Sequence, residues 1–250
     1  VVDSALFLVA RSLPVRHGFT LRSGGVSEGK RASLDLGPAG DAGPDVRENR
    51  ARLARAAGLP PARLVLAEQV HGTRVVHGRP GELPEADALW TDSTDSWIGI
   101  RTADCVPLLL SSVDGSRVAA VHSGWRGTLG RIAEMAVATL GQEAGAAPAT
   151  LRAAIGPCIG ACCYEVSEDL AERFAHAFGE NVVRRDRRPR PHLDLRLAVR
   201  RTLAEAGLAE AHIEDVPGCN ACEPERFFSH RRDQGGTGRH LAFIAPGALS

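Results

Sequence analysis

Short runs rich in Val, Ile and Leu, each bounded by Gly, Pro, Asp or Ser, alternate along this chain with longer segments of helical period. The runs Leu64–Glu68, Ile98–Arg101, Val106–Leu110, Arg117–Val121, Arg152–Ile155 and Ala242–Ile244 read as strands. Asp45 to Ala57 reads as a helix that Gly58 stops, and Asp194 to Ala206 ends in the same way before Gly207. Leu129, Ile132, Ala133, Ala136, Val137 and Leu140 follow the 3.6-residue period, predicting a helix over 129–140. Ser167 begins another, with Glu168 and Asp169 in the first turn, where the helix dipole favours them. Such mixing argues against an all-α or an all-β chain. Residues 81–96 and 179–191 read as irregular connections.

A chain of 250 residues with 44% hydrophobic side chains can bury a substantial core, and no repeat divides it. Thirty basic residues balance thirty acidic ones, so no general attraction to nucleic acid or to a membrane is expected. Lys30 is the single lysine; the bias to arginine fits a GC-rich coding sequence, although arginine also suits phosphate and carboxylate recognition. The basic run RRDRRPRPH (184–192) lacks interleaved aromatics and reads as a solvated loop rather than a nucleic-acid arm. No apolar run approaches the ~18 residues of a membrane helix, and the start does not read as a signal peptide. Six cysteines with one CxxC are too few for a disulfide scaffold and fit a reducing compartment, so a cytoplasmic location is expected.

Three segments place reactive side chains beside strand-like runs and near glycines: EQVHG (68–72), TADCVPLLL (102–110) and VAAVHSGWRG (118–127). If their strands are neighbours, His71, Cys105 and His122 converge. Imidazole and thiolate are both good zinc donors, and three protein ligands leave a fourth position for water or substrate. Two other readings use the same residues: a buried Cys and singly hydrogen-bonded histidines without function, or a metal-free Cys105 nucleophile with His122 as its base. Arg22, beside the turn RSGGVSEG (22–29), together with Arg47, Arg231 and Arg232, offers positive charge for a phosphate or carboxylate. Cys158, Cys162, Cys219 and Cys222 raise the alternative of a second zinc site, but their spacing favours buried or weakly redox-active thiols. Asp104 and Glu68 are acid–base candidates by proximity in sequence alone.

Taken in order, these segments resemble one family. HGFTLRSGGVSEG, SLDLG, VRENR, EQVHG, ADALWTD, TADCVPLLL, AVHSGWRG, IGPCIG…CYEV and FFSHRRD…TGR run from about residue 17 to 239 and are similar to the YfiH-like, or laccase-domain, proteins. The resemblance implies one α+β domain over 1–250, a mixed sheet with packed helices, related in its core to the cytotoxic necrotizing factor catalytic domain. It implies His71, Cys105 and His122 as ligands of zinc, with copper as the alternative metal. It also implies phosphorolysis of adenosine, inosine, guanosine and methylthioadenosine, with adenosine deamination as a side activity. Purine nucleoside and phosphate are then the partners, with the oligomeric state open. Peptidoglycan-precursor editing by an amidohydrolase, and copper-dependent polyphenol oxidation, are the rival activities; a zinc-stabilised binding module is the non-enzymatic one. Asp35, Asn220 and His230 depart from the family's usual Asn, Thr and Tyr, which bears on substrate preference and not on the ligands.

Overall fold

A computed structural model describes every residue except Val1, Ser4, Ala5, Asp41, Ala146, Arg187, Arg188, Leu249 and Ser250. The strands in chain order are β1 (Val2–Asp3), β2 (Phe7–Val9), β3 (Val15–Thr20), β4 (Leu64–Val65), β5 (Val75–His77), β6 (Ala88–Thr91) and β7 (Trp97–Thr102). They continue with β8 (Val106–Ser111), β9 (Val118–Ser123), β10 (Arg152–Ile155), β11 (Val183–Arg184), β12 (His192–Leu193), β13 (Ile213–Asp215) and β14 (His240–Ala248). The α-helices are α1 (Pro44–Ala57), α2 (Trp125–Leu129), α3 (Ile132–Ala144), α4 (Glu168–Phe178) and α5 (Leu195–Glu205). One sheet has the order β1-β2-β3-β14-β7-β4 and the other β13-β10-β8-β9-β6-β5, while β11 and β12 pair alone. Most neighbours are antiparallel, but β4–β7, β5–β6 and β10–β13 are parallel, so the sheets are mixed and the α+β expectation holds.

The two sheets pack face to face, and alternation along each strand sorts its side chains between two cores. In β8, Val106, Leu108 and Leu110 face the helices while Leu109 faces the other sheet. In β9, Ala119 and Val121 face the helices and Val118 and Ala120 the sheet interface. The first sheet behaves alike: Trp97, Leu241 and Phe243 turn toward α1, and Ile98, Ala242 and Ile244 inward. The layers are therefore α1, first sheet, second sheet, and then α3, α4 and α5. Strands covered on both faces read as continuous apolar runs, which is why β8 and β9 stand out in the sequence.

Several local expectations hold. Gly58 takes the left-handed φ of 65° and closes α1, while Pro44 at its first turn starts the helix a residue early. The Ser167 side chain accepts from Leu170 N–H, and that of Asp194 from Leu197 N–H. Others are corrected. Residues 81–96 contain β6, a full strand of the second sheet, and residues 179–191 contain β11. The Leu64–Glu68 strand is only Leu64–Val65, with Glu68 bridging Glu85. The expected helix over 129–140 is broken where Arg131 turns left-handed at φ 61°, separating α2 from α3. In the basic run, Arg185 pairs with Glu168 and Glu180, and Arg190 with Glu165; Arg187 and Arg188 lie outside the described residues. No helix among the described residues is long and apolar enough to cross a membrane.

Candidate metal centre

The three donors come from three places in the sandwich. His71 lies on the loop that leaves β4 of the first sheet for β5 of the second, at a left-handed φ of 61°. Cys105 ends the short strap Ala103–Cys105 by which the chain passes from β7 in one sheet to β8 in the other. His122 is near the end of β9, opposite Pro107 of β8, and alternation with Val118 and Ala120 turns it toward the sheet interface. The ligand atoms of all three lie within 4.8 Å of one another. The rings of His71 and His122 meet edge to face with centroids 4.9 Å apart. Exposure is graded from His122, which is buried, through Cys105 to His71, which is exposed, so the set opens on the His71 side.

Asp87, which the sequence reading passed over, organises two of the three. The pairing of Ala88 with Val121 carries Asp87 opposite His122, whose Nδ1 lies 2.8 Å from Asp87 Oδ1. The same carboxylate accepts from the N–H groups of Val70, His71 and Gly72 at 3.2, 3.0 and 2.6 Å. Bonding at Nδ1 leaves His122 Nε2 for the centre and fixes the tautomer a metal ligand needs. Burial alone would push the Cys105 thiol up, but the charge of His122 and hydrogen bonds from His122 and His71 bring it down to about 6. Burial would lower His122, but the Cys105 thiolate and Asp87 hold it up at about 9. The two groups thus favour each other's charged forms, and a thiophilic divalent cation suits the same site by taking the place of the shared proton. Gly124 lies against the donors: a Cβ there would come within 3.1 Å of both Cys105 Sγ and His71 Cδ2. Donor chemistry, spacing and the bare Cα together fit a bound metal.

The rim adds charge and a carboxyl group. Asp104 is buried in a positive-φ conformation; its Oδ2 accepts from Arg231 N–H at 2.6 Å, and its Oδ1 has no hydrogen-bond partner among the described residues. Burial raises its pKa above the ordinary carboxylate value despite the neighbouring Arg231 N–H. The Arg231 guanidinium is exposed, stacks 5.1 Å from the Tyr164 ring centre, and donates to Glu165 O. Burial pushes the Tyr164 hydroxyl up to about 12, and the charges of Cys105, Arg231, Asp104 and Arg126 also reach it, which places these groups in one neighbourhood. Arg126, exposed and stacked on Trp125 at 4.3 Å, is a second cation the sequence reading did not single out.

The other arginines are used differently. Arg22 donates to Ala32 O and Pro224 O, and Arg47 to Ala42 O. Arg232 is spent on Asp233, Asn220 O and Phe227 O. Arg22 and Arg232 do meet, lining an open cleft of about 310 Å³ with Lys30 and Asp233, whereas Arg47 stays on α1 behind the first sheet. Glu68 is exposed and faces Arg101. Cys158 is fully buried, with Arg196 Nη2 3.7 Å from its sulfur, and does not join the other thiols.

Fold and centre define a two-sheet α+β protein with a His–Cys–His donor set open on one side. Residues 16–246 match the family model described as multi-copper polyphenol oxidoreductase laccase, and the chain belongs to that family. It is 42% identical over 239 residues to a purine nucleoside phosphorylase of Deinococcus radiodurans, covering 95% of this chain and 91% of that one. It is 36% identical over 207 residues to the adenosine deaminase RL5 of an unknown prokaryote, covering 77% of this chain and 79% of the relative. The crystal structure of YlmD from Geobacillus stearothermophilus superposes with a TM-score of 0.91 at 35% identity, covering 98% of both chains. The family thus contains proteins named as enzymes acting on purine nucleosides.

Proposed function

We propose that this chain is a metal-dependent enzyme that cleaves purine nucleosides with phosphate, acting at His71, Cys105 and His122. The observation that carries the reading is the donor set itself: three ligand atoms within 4.8 Å, closed on the His122 side and open at His71. The name of the Deinococcus relative supplies the substrate class. Zinc, when bound, would be held by a nitrogen of His71, Cys105 Sγ and His122 Nε2, and would supply Lewis-acid charge to an oxygen of substrate or phosphate.

The protein's own groups divide the remaining work. Arg231 and Arg126 are exposed cations at the rim and carry the phosphate charge, Arg231 being steadied by Glu165 O and Tyr164. A phosphate oxygen forms the new bond to C1′ of the ribose as the C1′–N9 bond breaks, and the electron pair leaves with the purine. Asp104, next to Cys105 in the chain and raised by burial above the ordinary carboxylate value, is the candidate acid for the departing base. The likeness to RL5 favours deamination as a second activity, in which water adds at C6 of adenine and ammonia leaves as the C6–N bond breaks.

The test is chromatographic, with zinc-loaded protein and adenosine, with and without phosphate. Adenine and ribose 1-phosphate are expected only with phosphate, and neither from Cys105→Ala. Inosine formed regardless of phosphate would make deamination the main activity. Release of neither adenine nor inosine would overturn the nucleoside reading.

A further inference from the structure

The second group of donors in this protein is made entirely of sulfur. Cys162 and Cys163 sit in one tight turn, where Cys163 and Tyr164 N–H donate back to Gly160 O at 2.9 and 3.0 Å. Cys219 and Cys222 sit in another, where the N–H groups of Cys222 and Glu223 donate to Cys219 O, both at 3.1 Å. The turns follow β10 and β13, which are parallel neighbours, and a bridge between Cys158 and Cys219 keeps the segments side by side. All four Sγ atoms lie within 4.8 Å of one another. The distances Cys162–Cys222 and Cys163–Cys222 are both 3.3 Å, and Cys162–Cys219 is 3.5 Å. These are far beyond a disulfide bond of about 2.05 Å. They are close to the ~3.8 Å edge of a tetrahedron whose centre lies about 2.3 Å from each sulfur, as in a zinc tetrathiolate.

We infer that Cys162, Cys163, Cys219 and Cys222 form a second, structural zinc site, separate from the His–Cys–His centre. Two further features fit a bound cation. Gly160 N–H donates to Cys219 Sγ at 3.3 Å, the kind of backbone donor that supports a metal-bound thiolate. A Cβ on Gly160 would come within 3.1 Å of Cys162 Sγ and 3.5 Å of Cys219 Sγ, so the cluster needs a bare Cα beside it, as the first centre needs Gly124. Four thiolates complete the coordination, leaving no open position; the site staples and does no chemistry. What it staples matters for the neighbouring centre. Tyr164, which stacks under Arg231, follows Cys163 directly, and Asn220, whose carbonyl binds Arg232, lies between Cys219 and Cys222. In sequence the candidate group is Cys158, Cys162, Cys219 and Cys222, disfavoured by its spacing, whereas the fold turns Cys158 toward Arg196 and brings Cys163 in its place.

The test counts metal rather than activity, so its result is independent of the nucleoside reading. Full-length protein saturated with zinc and freed of excess ion is weighed by native mass spectrometry. Two zinc ions per chain are expected for the unsubstituted protein, and one each for Cys105→Ala and for Cys163→Ser/Cys222→Ser. Cobalt replacement in Cys105→Ala, where all four cluster thiols are intact, should give the strong thiolate-to-cobalt charge transfer of a tetrathiolate. This keeps the test sound if the double variant folds poorly. A single zinc per chain that disappears in Cys105→Ala would overturn the inference. So would disulfides among the four cysteines in the zinc-saturated protein.

Discussion

Asp87 shows how much of the centre rests on one carboxylate. It is fully buried, accepts three backbone N–H groups from the His71 loop, and holds His122 through Nδ1. Asp87→Asn keeps the size but removes the charge that orients His122, and zinc affinity should fall ~10–100-fold. Competition with a chromophoric chelator measures this; unchanged affinity would mean that the carboxylate only supports the loop. The residues that stand out in the sequence are the candidate donors, because His and Cys beside strand-like runs carry recognisable chemistry. Asp87 does not stand out: it falls in residues 81–96, which read as an irregular connection, and only the register of β6 on β9 brings it to His122. The arginines have the same limit. Arg22, Arg47, Arg231 and Arg232 look alike in sequence, and whether a guanidinium is spent on the protein's own carbonyls depends on distant segments such as Pro224 and Asn220.

Among the elements, helices were legible through their ends and strands through their burial. Ser167 caps α4 by accepting from Leu170 N–H at 3.3 Å, and the buried face of that helix is Ala171, Phe174, Ala175 and Phe178. Ser167→Ala should cost ~1 kcal/mol, lowering the thermal midpoint by about 2–4 °C for a chain of this size. Ser167→Asp should recover it, and an alanine variant with an unchanged melting curve would show the cap to be idle. What was not legible follows from the same physics. β3 carries His17 and Gly18 inside the sheet, and β6 is four residues between two aspartates, so neither shows a clean period. The α2–α3 break is invisible to periodicity because Leu129 and Ile132 pack on one core from both sides of it.

For the whole molecule, the acid limb of stability is set partly by histidines buried as neutral rings. His240 on β14 accepts from Phe228 N–H at 2.8 Å, and burial, helped by the charges of Arg22 and Arg232, lowers it from 6.5 to about 3. His17 is lowered by burial in the same direction. Between about 3 and 6.5 the unfolded chain holds a proton on His240 that the folded chain does not, so stability rises with pH across that window and is lost on acidification. The slope is ~1.4 kcal/mol per pH unit for one such group. His240→Gln can still accept from Phe228 N–H but does not titrate. Its melting temperature should therefore fall less than the unsubstituted protein's between pH 7 and pH 5. Parallel curves would remove His240 from the acid limb.

The strap Ala103–Cys105 has a mechanical consequence. One donor stands at the exit of the first sheet, one on the link between the sheets, and one on a strand of the second. A cation held by all three is a latch across the sandwich, and sliding one sheet over the other would pull it open. Reciprocity would follow: whatever keeps the sheets in line would tighten such a latch, and removing the cation would loosen the two halves.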